Sequence, residues 1–108
     1  MDDKRFHQLA DATFKRILDA FEDIDPDDAD IDTAGNTISI AYRGGSRCVI
    51  NTQSATHQIW LAGKQSGWHF SFDEPSQTWV HDKGTGDELF RVLADITRDA
   101  TGKSITLA

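Results

Sequence analysis

The chain has 108 residues, of which 38% are hydrophobic, and its 18 acidic and 11 basic side chains give a net charge of −7. This length predicts one domain over residues 1–108 with a single core, and the acidic balance argues against nucleic acids and anionic membrane surfaces as partners. No apolar run reaches the roughly 18 residues that a membrane-spanning helix needs.

The first predicted element is an amphipathic helix over residues 3–23. Apolar side chains recur there at spacings of three and four residues, which is typical of one buried helix face. Asp2 or Asp3 can cap the start of this helix, and Pro26 cannot continue it. The predicted buried face comprises Phe6, Leu9, Ala10, Thr13, Phe14, Ile17, Leu18 and Phe21.

Six strands are predicted after this helix, because the apolar period changes to two from residue 29. Turn signals at Gly35-Asn36 and Gly44-Gly45 separate the first three strands. The third strand covers 46–51, and the polar segment 51–56 is interpreted as a loop. Further strands are predicted at 57–62, 68–73 and 78–81. The short connections favour antiparallel pairing.

A second helix is predicted over residues 86–100, with Thr85 and Glu88 at capping-box spacing and Gly102 at its stop. Ile105 and Leu107 are expected to pack a short tail onto the domain. The fold class is therefore α+β. We expect a two-layer α/β sandwich in which two helices pack on one face of an antiparallel sheet of about six strands.

The strand at 57–62 predicts an aromatic side chain on the open sheet face. If Ile59 and Leu61 face the helices, Trp60 stands beside Gln58 on the other side. An exposed tryptophan next to amide side chains is typical of a protein interface. The alternative is the reversed orientation, in which Trp60 belongs to the core.

The chain carries no recognisable catalytic motif, so an enzyme is not expected. The chain lacks a nucleophile elbow, a P-loop and a dinucleotide fingerprint. Its four histidines form no His-x-His or His-x-x-x-His pair, which argues against zinc. Cys48 is the only cysteine, which excludes an internal disulfide, and it is expected to be an inert member of an apolar strand.

Eight carboxylates fall within fourteen residues that contain no Lys, Arg or His, and they account for the net charge. We call them the acidic ridge. Such a cluster repels itself, and its first members lie where a helix dipole favours cations, so the cluster is a candidate for function. The ridge comprises Asp19, Glu22, Asp23, Asp25, Asp27, Asp28, Asp30 and Asp32.

Carboxylates of this kind suit hard cations such as Fe²⁺, Fe³⁺, Mn²⁺, Ca²⁺ or Mg²⁺. The ridge does not match an EF-hand, because Asp28 and Ala34 occupy the positions that require Gly and Glu. Modest affinity and poor selectivity are therefore expected. His7 and Asp11, four residues apart on the exposed helix face, can add to a cation site or form an ordinary surface pair. A solvated, solubilising loop is the alternative interpretation of the ridge.

Several segments together resemble the frataxin family in its bacterial, CyaY-type form. They are the FHQLAD opening, the acidic ridge, Asn51-Thr-Gln53, Gln58-Ile-Trp60-Leu-Ala, Gly67-Trp-His69-Phe and the closing helix. The resemblance covers nearly the whole chain. It implies the α/β sandwich, weak and reversible iron binding along the ridge, and partner contacts on the sheet face at Asn51, Gln53, Gln58 and Trp60.

The resemblance further implies a regulator of iron–sulfur cluster assembly that docks on the cysteine desulfurase and its scaffold protein. An iron chaperone that delivers iron to the scaffold is the alternative, and a ferroxidase or iron-storage module is a third hypothesis. We expect a monomer, with iron-dependent oligomers as the alternative. The absence of a transit peptide predicts the cytoplasm of a bacterium.

Overall fold

Two helices cover one face of a six-stranded antiparallel sheet in the computed structural model, which describes residues 1–107. The strands follow one another in chain order across the sheet, from β1 at one edge to β6 at the other. No helix in this range is long and apolar enough to cross a membrane. The elements are α1 (Asp3–Phe21), β1 (Ala29–Ala34), β2 (Thr37–Tyr42), β3 (Arg47–Gln53), β4 (Gln58–Gly63), β5 (Ser66–Asp73), β6 (Thr78–His81) and α2 (Leu89–Thr101). The predicted fold class is confirmed.

Helix α1 begins as predicted and ends two residues early. Asp2 is the N-cap, and its carboxylate accepts a hydrogen bond from the Arg5 backbone N–H at 2.8 Å. Glu22 is the C-cap, and the last turn holds no basic residue. Extending the helix would add more carboxylates at the negative end of its dipole, which is unfavourable. The predicted end at residue 23 is therefore corrected to Phe21.

The core lies between the sheet and the helices, and alternate residues of each strand enter it. Cys48 is fully buried among them, and burial raises the pKa of its thiol to about 12, as expected of an inert cysteine. The strand residues that alternate with the buried ones face away from the helices. The buried strand residues are Ala29, Ile38, Ile40, Tyr42, Cys48, Ile50, Ile59, Leu61, Gly63, Phe70, Trp79 and His81.

Strand β3 is longer than its polar composition predicts. The predicted strand ends at Asn51, which pairs with Thr37 on one side and with Trp60 on the other, yet the strand continues to Gln53, which pairs with Gln58. Neighbouring strands on both sides supply partners for the backbone of this segment, which outweighs its low strand propensity. This correction brings Gln53 onto the sheet beside Asn51.

Helix α2 begins at Leu89 and not at residue 86. Glu88 is the N-cap, and its side chain accepts a hydrogen bond from the Phe90 N–H at 2.8 Å. The predicted capping box is wrong, because the Thr85 hydroxyl donates to Asp87 instead. The end is as predicted: Gly102 takes a left-handed conformation with φ of 72°, which glycine adopts without strain. Ile105 and Leu107 pack against the core.

Candidate functional site

The acidic ridge runs along one edge of the molecule and draws on three consecutive parts of the chain. Its members come from the end of α1, from the connection to β1, and from β1 itself. Seven of the eight side chains are exposed, namely Asp19, Glu22, Asp23, Asp25, Asp27, Asp30 and Asp32. Exposed carboxylates are available to a cation or to a basic surface without a large desolvation cost.

Asp30 and Asp32 lie on the open face of the sheet. Between them, Ile31 pairs with the buried Ile40 of β2 and faces the helices, so its two neighbours point the other way. Both carboxylates were predicted to face solvent, and both are exposed. Because β1 is an edge strand, the same charges also protect the edge against pairing with another chain.

The negative charge of the first ridge residue, Asp19, is partly neutralised by a lysine of α1. The Lys15 ammonium group donates to the Asp19 carboxylate at 2.9 Å, four residues further along the helix. This hydrogen bond and the charge of Asp19 raise the pKa of Lys15. Both side chains are well exposed, so the pair contributes little to stability. Glu22 and Asp23 extend the ridge beyond it.

Asp28 differs from the rest of the ridge, because it is buried and already holds two cations. Its carboxylate accepts a hydrogen bond from the Lys103 ammonium group at 2.6 Å, and the Arg43 guanidinium lies 3.5 Å away. The hydrogen bond from Lys103 is the main cause of a lowered pKa of Asp28, and the charges of Lys103 and Arg43 add to it. Asp28 thus ties the ridge to the β2–β3 turn and to the tail, and these two cations already balance its charge.

We expect a Lys103→Gln variant to have a lower melting temperature at pH 7, by several degrees. Because the pKa of Asp28 is lowered in the folded state, its stabilising contribution is present above the ordinary value of 3.8 and is lost as the pH falls through the folded value. The difference between variant and wild type should therefore shrink below that pH. Thermal unfolding monitored from pH 7 down to pH 3 measures both effects.

Lys83→Gln is the matched control, since Lys83 is an exposed lysine in the turn after β6. It should leave the melting temperature unchanged across the same range. Equal melting temperatures for the two variants at every pH would contradict the structural role of the Asp28–Lys103 contact.

His7 and Asp11 lie apart from the ridge. Both are exposed on α1, and Asp11 precedes Asp19 by eight residues, which is roughly 12 Å along a helix. The His7 ring packs near Phe6, with ring centroids 5.5 Å apart. Within residues 1–107, no group of three or more His, Cys, Asp or Glu side chains has a geometry that holds a metal ion. The ridge is therefore an open row of carboxylates.

Trp60 lies on the open sheet face, as predicted. Its neighbours Ile59 and Leu61 are buried, which excludes the reversed orientation, and the indole is half-buried. The Trp60 Nε1–H donates to the Gln58 side-chain oxygen at 2.9 Å. The ring stacks on His69 of β5, with centroids 4.1 Å apart and planes 15° apart.

The four predicted partner-binding residues come together on the two central strands. Asn51 of β3 is paired with Trp60 of β4, and Gln53 is paired with Gln58. All four are half-buried. The sequence interpretation did not connect His69 with Trp60, although its position before the buried Phe70 placed it on the same face.

Two residues of the ridge share this open face with the tryptophan. Asp30 and Asp32 project from β1, and Trp60 projects from β4, three strands away. Neighbouring strands are about 4.8 Å apart, so the two features are separated by roughly 14 Å. One partner surface of ordinary size can cover both.

A six-stranded antiparallel sheet that carries an N-terminal and a C-terminal helix on one face, with an acidic edge, defines the frataxin-like class of α/β sandwiches. The model of the frataxin-like domain matches residues 1–103. The chain therefore belongs to the frataxin family.

Individual relatives agree with this assignment. The chain is 35% identical over 105 residues to the iron-sulfur cluster assembly protein CyaY of Pseudomonas aeruginosa, covering 97% of this chain and 95% of that protein. The frataxin of Psychromonas ingrahamii superposes with a TM-score of 0.88 at 27% identity, over 100% and 99% of the two chains. The trimeric frataxin of Saccharomyces cerevisiae complexed with ferrous iron superposes with a TM-score of 0.75 at 26% identity, over 88% and 87%.

Proposed function

We propose that this protein regulates iron–sulfur cluster assembly by docking on a cysteine desulfurase and its scaffold protein while binding iron weakly. The observation that carries the proposal is that Asp30 and Asp32 of the ridge and the Trp60 side chain occupy one open sheet face, with the other exposed ridge carboxylates next to it at the β1 edge. Relatives at 30% to 38% identity over nearly the full length are named iron-sulfur cluster assembly proteins. No catalytic residue is assigned, because the proposed action is binding.

Docking proceeds in two stages that use different residues. The ridge produces a negative potential that steers a basic partner surface and raises the association rate. Trp60 then fixes the pose, because an aromatic side chain with polar neighbours is the kind of residue that carries most of the binding energy. Asn51, Gln53 and Gln58 surround it and provide amide groups for hydrogen bonds with the partner.

Iron binds to the same carboxylates that meet the partner. Carboxylate oxygen atoms and water suit ferrous and ferric ions, and an open row without an enclosing geometry gives weak, reversible binding. A bound cation reduces the negative potential of the ridge, so iron and the partner compete for it. The affinity of this protein for its partner therefore depends on the iron concentration. Through this dependence, iron regulates cluster assembly. Delivery of iron to the scaffold by the same residues is the alternative.

A desulfurase-driven cluster assembly assay on the scaffold tests the proposal. It compares the wild type with a Trp60→Arg variant at limiting and at saturating iron. A regulator that competes with iron for the ridge changes the initial rate most at limiting iron, and the variant loses this effect. Acceleration that occurs only when this protein is the sole iron source would favour delivery. An unchanged rate under every condition would contradict a role in assembly.

A further inference from the structure

The Trp60 side chain is held by a small network on the open face. Its Nε1–H donates to the Gln58 side-chain oxygen at 2.9 Å, and one face of the indole stacks on the His69 imidazole at 4.1 Å. The register places Trp60 directly opposite His69 on the neighbouring strand. Two contacts at different angles therefore restrict the rotation of this tryptophan about its side-chain bonds.

Asp82 joins the two supports to each other. Its Oδ2 accepts a hydrogen bond from the Gln58 amide nitrogen at 3.0 Å and lies 3.8 Å from the His69 Nδ1. The same amide nitrogen also donates to the Ser71 hydroxyl at 3.1 Å, so Gln58 presents its oxygen to the indole. Asp82 is itself fixed, because its backbone N–H donates to the His69 carbonyl at 2.9 Å.

We propose that His69 and Asp82 are positioning residues that hold Trp60 in its docking pose before the partner arrives. This inference rests on the proposed function, since it assigns the supports of the residue that fixes the docked pose. Holding a side chain in its bound conformation removes the entropy cost of ordering it at the interface. His69 and Asp82 thus raise the affinity for the partner indirectly, by fixing the conformation of the tryptophan.

The first arm of the test examines the free protein and needs no partner. In a ¹H–¹⁵N spectrum, the Trp60 indole signal is assigned by its loss in a Trp60→Phe variant. His69→Ala should shift this signal and speed its exchange with solvent, whereas His69→Phe, which keeps a stacked ring, should largely preserve it. Likewise, Asp82→Asn keeps an acceptor for Gln58 and should preserve the signal, and Asp82→Ala should not.

The second arm measures affinity for the cysteine desulfurase. His69→Ala should weaken binding by about three- to tenfold, which is the range expected for ordering one side chain, and His69→Phe should restore most of it. In a Trp60→Ala background, His69→Ala should cause no further loss. Ser39→Ala on the same face is the control, and circular dichroism checks that each variant is folded.

The two arms separate the inference from the proposed function. An unchanged Trp60 signal in His69→Ala overturns the inference, whatever the affinities are. Equal losses from His69→Ala with and without Trp60 also overturn it, because His69 would then contact the partner by itself. A wild type that fails to bind the desulfurase overturns the proposed function, and the spectrum of the free protein still decides the inference.

Discussion

Replacing Trp60 with alanine should weaken binding to the cysteine desulfurase by about 30-fold or more, which corresponds to about 2 kcal/mol. The indole is half-buried on an open face, and its neighbours support it on two sides. Truncation removes the largest apolar contact that this face can offer. Because Trp60 points away from the helices, the melting temperature should change little. Isothermal titration calorimetry and thermal unfolding measure the two quantities.

Trp68→Phe is the matched control for the loss of an indole. Trp68 is paired with the buried Leu61 across β4 and β5, so it packs against the core side of the sheet. Its Nε1–H donates to Asp87 at 3.3 Å. This variant should reduce stability slightly and leave the affinity unchanged. If Trp60→Ala bound as tightly as the wild type, the sheet face would not be the docking surface.

Neutralising three exposed ridge residues, as Asp23, Asp30 and Asp32→Asn, should weaken desulfurase binding about tenfold or more at low ionic strength. The loss of affinity should come mainly from a lower association rate. The affinity of the variant should also depend less on salt concentration, because the removed charges act through long-range attraction that salt screens. Stopped-flow or surface-based kinetics at several salt concentrations provide the measurement. In a titration with Fe²⁺, the triple variant should also bind the ion more weakly than the wild type does.

The same triple variant should be more stable than the wild type, with a melting temperature higher by roughly 3–6 °C. The three carboxylates repel one another and their neighbours in the folded state, and asparagine keeps the size of each side chain. A control variant, Glu74→Gln with Asp95 and Asp99→Asn, removes three charges elsewhere. Its residues form exposed ion pairs with Arg5, Arg98 and Lys64.

The control triple should leave desulfurase affinity unchanged and should not raise the melting temperature. Equal losses of affinity in both triples would show that net charge alone governs docking, and not the position of the ridge. A lower melting temperature in the ridge triple would mean that these carboxylates stabilise the fold, as Asp28 does through Lys103.

Most of the architecture followed from apolar periodicity and turn residues. The alternation around Ile59 and Leu61 placed Trp60 on the open face, and the exposure of Asp30 and Asp32 followed from the buried side of Ile31. Element boundaries were less accurate. Strand β3 extends through Asn51 and Gln53 because β2 and β4 pair with it, and α2 starts at Leu89 because Glu88 caps it.

The amino-acid sequence alone therefore specified the two-layer fold, the acidic ridge and the position of Trp60 on the open sheet face, because each depends on periodicity or composition within a short segment. Two features depended on folding. Asp28 meets Lys103, 75 residues away. The burial and ion pairing of its carboxylate therefore cannot be inferred from the acidic stretch. Likewise, strand register brings His69 onto Trp60, and the chain reversal after β6 brings Asp82 to Gln58 and His69. A local pattern defines which face a residue occupies, whereas the pairing of distant segments defines what it touches there.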